Sequence, residues 1–119
     1  MSKKNSTNTC KLLQTENPGE SDIDLYNFKL IKTFEEESHL IRRLLKCKDC
    51  RQLYFYEFYE IIDWVGGNDS QYRTFIPVDS IKKAEEMSKV TPMELLKCIP
   101  RLQKDWPSDQ ESPKIFWVK

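Results

Sequence analysis

Several things are missing from this 119-residue chain, and each absence removes a class of function. No run of about 18 apolar residues occurs, so the sequence holds no membrane-spanning helix. Neither sign of charge is in excess, since 19 basic residues balance 19 acidic ones. A nucleic-acid coat or a polybasic membrane protein would draw its affinity from surplus Lys and Arg, which are not here. The opening stretch, Met1 to Thr9, is polar and has no apolar leader segment, so the expected compartment is the cytoplasm. There is a single histidine and no nucleotide-binding loop, which leaves few routes to catalysis. No repeat of solenoid length is visible.

What is present suits one modest core. Hydrophobic residues make up 39% of the chain, and 14 side chains are aromatic. Residues 1–9 are expected to form a disordered tail, followed by a single α+β domain over 10–119. Within it the pattern divides into a ribbon-like antiparallel sheet (10–78), a helical stretch (79–104) and a tail with an edge strand (105–119).

The clearest element is a strand over Gln52–Trp64. Leu53, Phe55, Tyr59 and Ile61 alternate with Tyr54, Tyr56, Phe58, Ile62 and Trp64. Aromatic and branched residues on both sides fit a central strand covered on both faces. Gly66-Gly67-Asn68-Asp69 then supplies a hairpin turn, and Tyr72–Ile76 a second strand ending at Pro77. Upstream, two readings compete over Leu25–Leu45. A hairpin of Leu25–Phe34 and Ser38–Leu45, turning at Glu35-Glu36-Glu37, is favoured over a helix spanning Phe34–Leu45. Downstream, Asp79 can cap a helix over Ser80–Lys89. Thr91-Pro92-Met93-Glu94 reads as a capping box with Pro at the first helical position, and Pro100 stops that helix. Lys114–Val118 reads as a late edge strand bounded by Pro113.

Four cysteines in a chain expected to be cytosolic are poor disulfide candidates. Cys47-Lys48-Asp49-Cys50 is the informative unit, because two residues between cysteines let one tight turn aim both sulfurs at a single ion. The turn leads through Arg51-Gln52 into the aromatic strand. A redox motif of this spacing would open a helix after a strand, whereas here a strand follows. The segment resembles a zinc-ribbon knuckle, and Cys10-Lys11-Leu12-Leu13 repeats the second half of that pattern 37 positions earlier. The resemblance implies zinc on Cys10, Cys47 and Cys50, and covers roughly residues 7–62. The sequence departs from it twice. Thr7 stands where the first knuckle would carry its other Cys. Arg51 stands where Gly normally relaxes the turn, at a cost of about 1 kcal/mol if its φ is positive. His39 and Cys98, the other soft donors, lack the local spacing. The chain as a whole is similar to small bacterial proteins, most recognisably over Leu53–Glu60.

Glu57 and Glu60 alternate to opposite faces of the aromatic strand, so they cannot act as a catalytic pair. Arg42, Arg43 and Arg73 on neighbouring strands are their natural partners. No nucleophilic triad has support around His39. Charge is segregated although it sums to zero, with residues 16–37 carrying −5, 38–51 carrying +4 and 52–80 carrying −4. Such blocks can meet a charged partner or cancel across paired strands.

These features point first to a non-catalytic protein-binding module of the cytoplasm. Its most concrete form is a bacterial toxin-neutralising immunity protein, a likeness of size and character rather than of motif. Its partner would be a toxin domain, met by Glu35, Glu36, Glu37, Glu57, Glu60, Asp63 and Asp69. The alternative is a zinc-ribbon module bound to nucleic acid or the transcription machinery, opposed by the acidic central strand. A third reading is an enzyme with zinc on three thiolates and a water, for which no general base is evident.

Overall fold

The computed structural model describes residues 10–62, 65–67 and 69–119. The expected tail over 1–9, and the roles given to Thr7, Asp63, Trp64 and Asn68, lie outside the described residues. The architecture is α+β. Six strands form one antiparallel sheet in sequence order: β1 (Phe28–Glu37), β2 (Leu40–Cys47), β3 (Leu53–Ile61), β4 (Ser70–Val78), β5 (Arg101–Trp106) and β6 (Lys114–Val118). Short helices cover it: α1 (Lys11–Gln14), α2 (Ile81–Met87) and α3 (Pro92–Leu95), with single 3-10 turns at Glu20–Ile23 and Leu25–Asn27. Among the described residues no helix is long and apolar enough to cross a membrane.

The alternation along β3 builds two cores. Tyr54 and Tyr56 face one side and join Phe28, Leu45, Phe75 and Leu102, with Cys10, Leu12 and Ile23 of the amino-terminal arm laid over them. Phe55 faces the other and joins Leu44, Ile76 and Val78 under Ala84, Met87 and Leu95 of the helices. Tyr54 and Phe55 are both fully buried, as a strand with apolar residues on both sides requires. Phe28 links the arm to the sheet, meeting Tyr54 edge-on at 5.7 Å and stacking on Phe75 at 5.6 Å.

Three local assignments need correction. The hairpin over the acidic run exists, but Glu35-Glu36-Glu37 is not its turn. The triplet ends β1, paired in register with Arg42, Ile41 and Leu40, and the chain reverses at Ser38-His39. The charge complement between Glu36 and Arg43, paired at 2.7 Å, lets acidic residues occupy a strand beside a basic one. Second, Ser80 rather than Asp79 caps α2, its hydroxyl accepting from the Lys83 amide. Third, the helical stretch does not extend to residue 104, because Arg101–Trp106 is β5, seated between β4 and β6. The Thr91 cap is as expected, with Glu94 reaching back to the Thr91 amide and Pro92 opening α3.

Candidate metal centre

The β2–β3 connection is a tight turn that brings Cys47 and Cys50 together. Arg51 N donates to Cys47 O, and Cys47 N to Gln52 O, each at 2.9 Å. Arg51 closes it with φ +65°. This left-handed conformation costs a residue with a Cβ roughly 1–2 kcal/mol. It is the conformation in which the missing glycine would be felt. The other half of the site arrives from far off in sequence. Cys10 precedes α1, and the arm carries it, almost fully buried, onto the Tyr54 face of the sheet.

The three sulfurs of Cys10, Cys47 and Cys50 lie within 4.8 Å of one another, close enough for one metal ion to take all three. Among the described residues no fourth His, Cys, Asp or Glu joins the cluster. The thiols are not equivalent. Burial alone would raise Cys47, but the amides of Cys50 and Asp49 and the thiols of Cys50 and Cys10 donate toward its sulfur and bring it below the ordinary value. Cys50 is pushed up to about 12, by burial first and then by its contact with Cys10. A turn whose amides point at a sulfur favours the thiolate, the form that binds metal.

The surroundings offer the sulfurs one buried hydrogen-bond donor. The Tyr54 hydroxyl is buried beside Cys10 with no hydrogen-bond partner among the described residues. An orphaned buried hydroxyl is costly, and a thiolate at Cys10 would give it an acceptor. Burial first, and then the neighbouring Cys10 thiol, hold that phenol above its ordinary range, so it remains a donor. In front of the sulfurs opens a cavity of about 410 Å³, whose wall includes Lys11, Asp22, Asn27 and Asp49. Tyr54 was legible in the sequence only as a core residue; its place beside the thiols depends on where the arm lands.

The remaining soft donors are elsewhere. Cys98 packs at the helix-side core, and His39 Nδ1 lies 3.3 Å from Glu60 on the exposed turn. The acidic residues expected to meet a partner are split. Glu36 and Glu37 on β1 and Asp69 in the β3–β4 turn are exposed, whereas Glu35 and Glu60 are half-buried. Glu57 must be withdrawn from that surface, because it is only 4% exposed. Its Oε2 accepts from Arg42 Nε at 2.8 Å. Arg42 Nη2 is also 2.8 Å from that oxygen but off the hydrogen-bond axis, a contact of charge alone. Of the other two expected partners, Arg43 pairs with Glu36, and Arg73 donates to the Tyr56 hydroxyl at 2.6 Å and lies over the Phe58 ring.

No protein-family model, curated protein or solved structure matches this chain.

Proposed function

We propose that this chain is a non-catalytic, cytoplasmic protein-binding module whose amino-terminal arm is stapled to its sheet by one zinc ion on Cys10, Cys47 and Cys50. The observation that carries the reading is the convergence of three thiols from segments 37 positions apart in a turn that donates amides to sulfur. Thiolate donors favour a soft or borderline ion, and zinc is the one suited to a fixed, redox-silent anchor. Its role follows from the arm's own weakness. A four-residue helix and two 3-10 turns cannot hold themselves on a sheet by local hydrogen bonds.

The binding half of the proposal rests on the outer edge. β1 is an edge strand ten residues long, largely exposed, with Leu30 51% exposed and the acidic run at its end. Two irregularities in its pairing with β2 discourage indiscriminate strand addition, which leaves recognition to side chains. An acidic edge suits a basic partner, and a toxin domain of the nuclease kind has that character, so the immunity-protein reading is the specific form we favour. Purification from the source cells at low salt is expected to bring down a basic toxin domain, released by salt and lost with Glu36→Lys/Glu37→Lys. Recovery of the chain alone, with no toxin gene beside its coding sequence, contradicts the reading.

A further inference from the structure

On the face opposite the thiols, the four buried polar residues of the described chain form a single line. Arg42, Glu57, Thr74 and Gln103 are each 4% exposed or less. They are direct register partners across β2, β3, β4 and β5. Such a row is a poor device for stability, because the desolvation of a buried ion pair offsets most of its attraction. One end of the row does anchor a helix. Arg42 Nη1 donates to the carbonyls of Ser88 and Val90 at 3.0 and 2.6 Å and so ties down the end of α2. Thr74 donates to Gln103 at 2.9 Å. The row's middle and far end then floor a cavity of about 430 Å³ between the sheet and α3. Its upper walls are apolar and aromatic: Tyr59, Tyr72, Met93, Leu96 and Phe116.

The chemistry of that cavity is specific. Both Arg42 contacts with Glu57 go to Oε2. Oε1 takes none, and Glu57 lines the cavity. Among the described residues no donor reaches that oxygen, so an acceptor at the floor is left for whatever fills the cavity. The charges around it cancel. Glu57 and Asp105 are acidic, while Arg42 stands behind Glu57, and Arg101 is fixed on Gln103 and the carbonyls of Leu96 and Cys98. That balance favours neither a phosphate nor a polycation. Aromatic walls, a few converging polar groups and this volume are the marks of a small-molecule site.

We propose that this cavity binds an uncharged, ring-bearing small molecule that gives one hydrogen bond to Glu57. The site shares no residue with the thiol cluster and does not depend on a metal. The ring would lie between Tyr59, Tyr72 and Phe116, and its donor would satisfy Oε1. Burial, opposed by Arg42, raises the Glu57 pKa, in keeping with a carboxyl short of donors.

The test is a titration of the whole protein, followed by the methyl resonances of Met93 and Leu96, with p-cresol as the probe and toluene as the ring without a donor. Saturable shifts confined to this cavity are expected with p-cresol. Toluene should bind at least about ten-fold more weakly, the worth of one hydrogen bond to a charged group. Met93 is 76% exposed, so Met93→Trp is expected to fold normally and block the mouth, abolishing the shifts while the melting temperature holds. No saturable shift up to about 10 mM, beyond the range of useful site affinities, would overturn the proposal. So would equal binding of toluene and p-cresol, or undiminished binding by Met93→Trp.

Discussion

The two faces of the sheet are covered by the same kinds of short element and held by different means. On the helix side, α2 and α3 carry their own caps, at Ser80 and Thr91. They drop Ala84, Met87 and Leu95 into an apolar core, and Arg42 closes the carbonyl end of α2. On the thiol side, the arm's cap residue, Cys10, makes no side-chain capping bond, and its helix is one turn long. What it offers instead is a sulfur. The comparison teaches that a local signal and a long-range one can be set to the same job: caps and an ion pair fix one cover, and beneath the other three thiols converge, where a shared metal ion would fix it.

The comparison can be broken from either side. The largest effect is expected at the ion pair. Arg42→Ala leaves a buried carboxylate unmatched and α2's last carbonyls unbonded, and should cost about 3–5 kcal/mol. Arg42→Met with Glu57→Leu should recover much of that. Urea denaturation of the three proteins checks it, and a double variant no better than Arg42→Ala would show that the α2 contacts, not the charge, dominate.

Next is the thiol side. Cys50→Ser should lower stability by roughly 3 kcal/mol, the gain from a ligand held at about a hundred times its Kd. A strong chelator should have the same effect on the parent protein and none on the variant. Equal loss in metal-free protein would assign the effect to packing. The smallest change is the most local. Arg51→Gly relieves the φ of +65° and should stabilise by about 0.5–1 kcal/mol, part of the relief being offset by the looser unfolded chain. A thermal melt that falls instead would mean the Arg51 side chain contributes something its backbone position does not reveal.

The sequence made these faces legible to different depths, for physical reasons. β3 was readable because Tyr54 and Tyr56 alternate with Phe55 and both sets are apolar. The Thr91 cap was readable because its chemistry is complete within four residues. β5 was missed because Arg101-Leu102-Gln103-Lys104-Asp105 reads as a polar segment; Gln103 is nonetheless buried, satisfied by Thr74 across the sheet. Pairing of that kind has no local signature. The Glu35–Glu37 turn failed for a similar reason, since like charges discourage a strand until the neighbouring strand brings Arg42 opposite Glu35 and Arg43 within reach of Glu36. The thiol cluster was anticipated by spacing at Cys47 and Cys50 and by a half-pattern at Cys10. The Tyr54 hydroxyl beside it, and the polar row on the far face, exist only once the strands are in register.

Elemental analysis of protein purified without added metal bears most directly on the central claim. One zinc per chain, lost together with Cys10, Cys47 or Cys50, is the predicted result. A well-folded protein holding none would contradict it.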